Sequence, residues 1–250
     1  RHVLQVDCDD KHIAKLSIDP VKGNKNIVKL TIVNERFYTG DWLKYYYRVT
    51  NALGLLFHSY NRVDIAFDSY DKLNTLAFLH HNSQEDICEP LYERIGKAKV
   101  NDIQDTIELT VGTEKSGKVI AVYAKSQEIE KKKKYYISDY HVAKGLDTSR
   151  QIDRVEVRLW NRYFSKYDIP VECLLQEDTL GALFTKGIND CLSYRVLASK
   201  GHDSNRNPKY PERVKLLNLD VFKTKELECS KKDAPNEEAC RIKESRSLVR

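Results

Sequence analysis

TIELTVGTEKSGKVIAVYAK, residues 106–125, holds two runs of strand-forming residues on either side of GTEKSG, a stretch that opens and closes on glycine. Alternate residues of a strand point to opposite faces, and both runs are rich in β-branched and apolar residues, so each reads as a β-strand. The glycine-bounded stretch between them reads as the tight turn of an antiparallel hairpin. Such a hairpin in mid-chain excludes an all-parallel, doubly wound sheet and indicates an α+β protein, a mostly antiparallel sheet flanked by helices.

Outward from the hairpin, NIVKLTIV (residues 26–33) alternates Val28, Leu30 and Ile32 with Lys29 and Thr31, a strand pattern. A helix is expected next, capped by Thr39 or Asp41, with apolar residues at 42, 45, 46, 49, 53 and 56 and a weak point at Gly54. NRVDIAFD (61–68) and DRVEVRLW (153–160) read as strands, and 71–79 as a short helix. Residues 82–102 look irregular and polar. From Asp178 the apolar residues at 180, 183, 184, 188, 191, 192 and 196 predict a helix to about residue 199, despite two glycines. GHDSNRNPKYPER (201–213) is a turn-rich loop, and 223–250 mixes charges of both signs with few apolar residues, as a solvated helix or frayed tail does. The expected organisation is a sheet domain over 1–168, a helical and basic-loop region over 169–222 and a charged tail over 223–250.

The formal net charge of +5 is modest, but its distribution is not. Between Lys115 and Lys134 seven lysines face only Glu128 and Glu130, a surplus equal to that of the whole chain. Residues 150–166 and 195–215 are also basic, and clustered positive charge suits a polyanion. No apolar run approaches bilayer length and the N-terminus lacks the layout of a secretory signal, so a soluble, cytoplasmic protein without a membrane partner is expected. Six scattered cysteines show no metal-ligand spacing and are expected as reduced thiols. Methionine is absent and the chain opens on Arg1, as in an internal fragment or a sequence that has lost its methionines, so local motifs weigh more than long spacings.

Parity places Val63, Ile65 and Phe67 on one face of their strand and Arg62, Asp64, Ala66 and Asp68 on the other. In 153–160 the same division sets Val155, Val157 and Leu159 against Arg154, Glu156 and Arg158. In the hairpin, Ile120, Val122 and Ala124 oppose Val119, Ala121, Tyr123 and Lys125. Any one of these faces reads as a solvated sheet surface with paired charges. Together, carboxylates converging from separate strands would suit a divalent cation, since Mg²⁺ or Mn²⁺ needs only one or two carboxylates beside phosphate oxygens. Nucleotide-loop, serine-hydrolase and HExxH zinc motifs are missing, His80 and His81 are adjacent, and His12, His58, His141 and His202 stand isolated, so no histidine triad is expected.

RVDIAFD (62–68), VGTEKSGKVIAVYAKSQE (111–128) and RVEVRLWNRYFSKY (154–167) resemble, in order and approximate spacing, three blocks of the rolling-circle plasmid replication initiators, the Rep_trans family, whose relatives include relaxases of integrative conjugative elements. The resemblance covers roughly residues 26–167. It implies Tyr123 as a nucleophile that nicks one strand at a double-strand origin and becomes a 5′-phosphotyrosyl enzyme, with Lys125 and Glu128 at the family's Y-x-K-x-x-E positions. It implies a Mg²⁺ or Mn²⁺ ion on Asp64 and Glu156, with Asp68 the best third ligand and Glu108 the next. A phenol ionises near pH ~10, so a neighbouring lysine is expected to favour the phenolate. Arg62, Lys115, Lys118, Lys131, Lys132, Lys133, Lys134, Arg154 and Arg158 are then the expected DNA contacts, with Tyr135 and Tyr136 as stacking residues. The implied partners are origin duplex and single-stranded DNA, a second copy of the chain, and a host helicase, with origin recognition drawn from 178–215. Ala121 and Ala124 depart from the family pattern. Three alternatives stay open: a relaxase for conjugative transfer, a non-catalytic origin-binding protein, and a nuclease that uses water between two metals.

Overall fold

In the computed structural model, which describes residues 2–18, 27–85, 87–90, 98–103, 106–189, 191–196 and 212–229, the hairpin lies at the middle of a five-stranded sheet. In chain order the elements are β1 (His2–Cys8), β2 (Lys11–Ile18), β3 (Val28–Ile32), α1 (Asn34–Thr39), α2 (Trp42–Ala52), β4 (Arg62–Ser69), α3 (Lys72–Gln84), β5 (Cys88–Pro90), β6 (Ala98–Ile103), β7 (Thr106–Thr113), β8 (Lys118–Ala124), α4 (Lys125–Lys132), α5 (Tyr135–Ala143), β9 (Asp153–Trp160), α6 (Asn161–Phe164), α7 (Glu177–Ile188), β10 (Ser193–Val196) and β11 (Glu212–Lys215). The central sheet runs β4-β9-β8-β7-β6 with every pair antiparallel, so the expected α+β class holds.

The turn of the central hairpin depends on its first glycine. Gly112 sits at φ +93°, and a Cβ there would lie 2.5 Å from the Lys118 carbonyl oxygen. Thr113 and Ser116 then cap the short turn reciprocally, the Thr113 hydroxyl accepting from the Ser116 amide.

One face of the sheet forms the main core. Ile65, Leu109, Val111, Ile120, Val122, Val155, Val157 and Leu159 pack against Leu73, Leu76 and Leu79 of α3 and Ala182, Leu183, Phe184 and Ile188 of α7. Asp153, the first residue of β9, reaches across to accept the Leu73 amide at 2.9 Å, satisfying one of the free donors at the start of α3. The two glycines of α7 are packing residues: a Cβ on Gly187 would lie 2.6 Å from Val157 Cγ1, and one on Gly181 would lie 2.0 Å from the Lys223 carbonyl oxygen.

Several expectations change. The helix expected to residue 199 stops at Ile188, and Ser193–Val196 returns as a strand between β5 and β11. Its residues fill the core, so α7 is a packing helix whose apolar face is unavailable for reading DNA. That core also takes in Leu216, Leu217 and Leu227, and so crosses the boundary expected at residue 168. Residues 223–229 run without helix beside α7, where Lys223 meets Glu177 at 3.1 Å. Residues 201–211 of the turn-rich loop and 230–250 of the tail lie outside the described residues. The polar stretch after residue 82 contains the end of α3 and strands β5 and β6. The N-terminal hairpin of β1 and β2 turns through Asp9 and Asp10, both at positive φ, and pairs with β3. Its Ile13 and Ala14 form a second small core with Tyr45 and Val49 of α2. Among the described residues the cysteines form no disulfide, and no helix is long and apolar enough to cross a membrane.

Because Gly187 is pressed against Val157, Gly187→Leu should overpack the contact between α7 and β9. The expected loss is about 1–3 kcal/mol, read as a lower urea midpoint at an unchanged slope. A midpoint equal to that of the unaltered chain would contradict the packing assigned to this helix.

Candidate active site

The other face of the sheet carries the polar residues. Register aligns them in three rows across β4, β9 and β8: Asp64 with Arg158 and Val119, Ala66 with Glu156 and Ala121, and Asp68 with Arg154 and Tyr123. Each aspartate therefore stands opposite an arginine. Glu156, in the middle, stands between two alanines, which leave the space around its carboxylate to longer side chains from the rows on either side.

This face is not the solvated surface that its composition indicates. Arg154 is 6% exposed and Glu156 7%, because α1, α4 and α5 close over the end of the sheet where β8 finishes. The β4 side, at Arg62, Asp64 and Ala66, lies open.

Within the closed end the hydrogen bonds form a chain. The Tyr123 hydroxyl donates to Glu156 Oε2 at 2.9 Å, and Arg158 Nε donates to Glu156 Oε1 at 2.5 Å. Arg154 holds Asp68 with two bonds, Nε to Oδ1 at 2.6 Å and Nη2 to Oδ2 at 2.5 Å, and also donates to the Tyr38 hydroxyl at 2.9 Å. His141, fully buried on α5, places Nε2 2.7 Å from Asp68 Oδ2. Lys125 opens α4 rather than closing β8; its ammonium is buried on Glu128 and lies 5.8 Å from the centre of the Tyr123 ring.

These contacts set the ionisation of the groups. Burial would raise the Glu156 carboxyl, but the hydrogen bond and charge of Arg158, with smaller contributions from Tyr123 and Arg154, hold it below the usual glutamate range. Asp68 is likewise pulled, against its burial, to about 2 by Arg154 and His141. Tyr123 moves the opposite way: burial and the negative charge of Glu156 push its phenol well above the ordinary value. Lys125 is lowered, burial first and Arg154 next, with Glu128 opposing. The expectation that a lysine makes Tyr123 a ready phenolate is thus corrected. The residue is held as a phenol on an ionised carboxylate.

The remaining predicted residues divide clearly. Arg62 is taken by Asp64 in a double hydrogen bond at 2.6 Å, and Arg154 is sealed inside. Lys132 and Lys134 reach Glu128 at 2.9 and 3.1 Å. The Lys118 ammonium lies 3.8 Å from Cys191 Sγ. Lys115, Lys131 and Lys133 are exposed. Tyr135 is half exposed, whereas Tyr136 packs edge-on against Tyr38 and accepts from Asn34. Glu108 is exposed on β7. His141 and Tyr38 join the site without having been expected there. His141 lies 73 residues from Asp68 in the chain, and no local pattern signals that pairing.

For a divalent ion the donors fit in part. Asp64 and Glu156 lie on one face in adjacent rows, are oxygen ligands, and have partners in Arg62 and Arg158 that are themselves partly exposed and able to turn away. Asp68 does not fit, because Arg154 and His141 occupy it inside the fold. Among the described residues no three acidic, histidine or cysteine side chains are grouped to hold a metal.

No protein-family model matches the sequence, and no curated protein matches it. Among solved structures the chain is similar to the rolling-circle replication initiator protein from Geobacillus stearothermophilus, at 15% sequence identity and a TM-score of 0.44, over 77% of this chain and 67% of that one. A likeness at that TM-score decides neither the fold nor the chemistry of this chain, which rest on its own residues.

The Asp68 carboxylate stabilises the fold while it is ionised. Its folded pKa of about 2 lies below the ordinary 3.8, so this contribution is complete above the unfolded value and lost as pH falls through the folded one. Asp68→Asn should cost about 3–5 kcal/mol at neutral pH by leaving Arg154 buried without its counter-charge. Urea unfolding across the acid range should then show a shallower acid loss in the variant. Equal acid slopes in the two proteins would contradict the pairing.

Proposed function

We propose that this chain is a site-specific DNA nicking enzyme of the replication-initiator kind, with Tyr123 as nucleophile and Glu156 as the acceptor of its proton. The observation that carries the reading is the 2.9 Å hydrogen bond from the Tyr123 hydroxyl to a carboxylate kept ionised by Arg158. A raised phenol pKa rules out a resting phenolate, so nucleophilicity must come from proton transfer during attack, and a general base must lie within hydrogen-bond reach. Glu156 meets that requirement.

In the step proposed, Tyr123 Oη forms a bond to the phosphorus of a backbone phosphate as the bond from phosphorus to the 3′-oxygen breaks. The phenolic proton passes to Glu156, and the departing 3′-oxygen takes a proton from solvent water to become a free 3′-OH. The product is a 5′-phosphotyrosyl ester, which keeps the energy of the broken linkage for later rejoining. Arg158, partly exposed beside the reacting pair, can turn toward the phosphate oxygens and balance the charge that gathers there. Lys125 positions the ring of Tyr123, and Arg154 shares the Glu156 side of the site at 4.0 Å. A Mg²⁺ or Mn²⁺ ion, held by Asp64 with Glu156, would supply further neutralisation of the scissile phosphate. Exposed Ala66 and the β4 edge form the open side by which a strand reaches the site.

On this reading the partners are origin DNA, in duplex and single-stranded form, a second copy of the chain, and a host helicase that opens the duplex from the nick. A relaxase for conjugative transfer would use the same first step.

Single-stranded oligonucleotides from candidate origins, labelled at the 5′ or 3′ end and incubated with Mn²⁺ or EDTA, test the proposal on a denaturing gel. A protein-linked band carrying the label of the 3′ fragment is expected, absent in Tyr123→Phe and slowed by roughly 10²–10⁴ in Glu156→Gln. Cleavage without adduct would overturn it in favour of a hydrolytic nuclease. Binding without cleavage would leave a DNA-binding protein.

A further inference from the structure

A cation-aromatic stack lies at the closed end of the sheet, just beyond the reacting pair. The Arg150 guanidinium sits over the ring of Tyr70, 4.0 Å from its centroid. Tyr70 follows β4 directly, and its hydroxyl accepts from the Asp147 amide at 2.5 Å, so the ring is tied to the loop that leads out of α5. The same loop begins at Lys144, whose ammonium lies 5.5 Å from the ring of Tyr140. Tyr140 in turn packs edge-on against Tyr38, the residue that accepts from Arg154. Tyr140 is therefore anchored to the network around Tyr123, and Tyr70 to the loop that leads out of α5.

The charges nearby distinguish what such a stack can bind. Arg150 is 55% exposed and already faces the Asp71 carboxylate at 3.6 Å, while Asp147 turns its own carboxylate to Ser149. A backbone phosphate would compete with Asp71 for the edge of the guanidinium. A flat, apolar face of an unpaired base would not, because it takes the plane of the guanidinium and leaves its edge on the acid. Arginine planes and aromatic rings are general stacking partners for unpaired bases. Tyr70 stands two strands across and two residues along from Tyr123, roughly 12 Å away at ordinary strand spacings. At about 3.4 Å per stacked nucleotide that is a few nucleotides from the reacting phosphate.

We infer that Arg150 stacked on Tyr70 is a platform for an unpaired base of the strand being cut, with Lys144 and Tyr140 as its continuation toward the site. The inference rests on the nicking reading for its biological sense, but its test does not depend on cleavage.

The full chain carrying Tyr123→Phe is titrated with a fluorescent oligothymidylate of about 12 nucleotides and with an abasic strand of equal length, at two salt concentrations. On oligothymidylate, Arg150→Ala and Tyr70→Ala should each weaken binding by roughly 5- to 150-fold, the span reported by stacking losses. On the abasic strand both should bind like their parent. Arg150→Lys, which keeps the charge and loses the plane, should behave like Arg150→Ala on oligothymidylate. Thermal unfolding of each variant identifies any loss that comes from misfolding, and Arg150→Lys, a surface change that keeps the charge, serves as the arm least exposed to it. Equal losses on both strands, no loss on either, or no binding of oligothymidylate by the parent would overturn the platform. Failure of the chain that keeps Tyr123 to form a covalent adduct, with the base-dependent loss intact in the Tyr123→Phe background, would instead retire the nicking reading and leave the platform standing.

Discussion

A carboxylate placed in the middle of a five-stranded sheet and closed off from water costs several kcal/mol unless it is paired, and Glu156 is such a group. Its neighbours follow from that cost. Arg158 binds one oxygen, the Tyr123 hydroxyl binds the other, and the alanines at 66 and 121 leave the flanking positions unobstructed. The hydrogen bond that keeps the glutamate soluble in the protein also gives the tyrosine a proton acceptor. Structural satisfaction and chemical capacity are one contact here.

The next row of the sheet repeats the arrangement with stricter burial. Arg154 stays charged inside the fold, so its burial is costly without Asp68, and Asp68 also bonds His141 of α5. Tyr38 on α1 closes the remaining side of the guanidinium. Beside the buried Ile129 of α4 and Ile137 of α5, these polar contacts are directional and help to fix where Tyr140 and the loop through Arg150 sit. The apolar face, by contrast, is held by shape, as the close approach of Gly187 to Val157 shows. One side of the sheet is specified by packing, and the other adds a hydrogen-bonded charge network.

This difference decides what could be read in the sequence. Period-two alternation in 61–68, 118–125 and 153–160 gave the central strands, and the glycines of GTEKSG gave the antiparallel sense of the hairpin that contains 118–125. Parity then placed Asp64 and Asp68, Glu156, and Tyr123 each on the polar face of its own strand, and the strand register joins those faces. What parity cannot give is the cover over that face. Whether Arg154 and Glu156 meet water depends on α1, α4 and α5, whose placement involves contacts over long chain separations such as that between Asp68 and His141. The fate of Lys132 and Lys134 was hidden for the same reason: a run of lysines reads as a solvated or polyanion-binding stretch until Glu128 is found beneath it. The helix expected beyond residue 188 failed for a different reason, since a short apolar run such as the one around Tyr194 suits a buried strand as well as a helix. The N-terminal hairpin turns through two aspartates at positive φ, a weaker turn signal than the glycine-containing pairs.

Locating the covalent bond is the most direct measurement. Cleavage after Lys118 and Lys125 by trypsin releases residues 119–125 as one peptide with a single tyrosine. After reaction with a cleavable oligonucleotide and nuclease trimming, mass spectrometry should find the residual nucleotide on that peptide, at Tyr123. A nucleotide on any other tyrosine peptide, with this one unmodified, would contradict the assignment of the Tyr123 and Glu156 pair as the reacting centre.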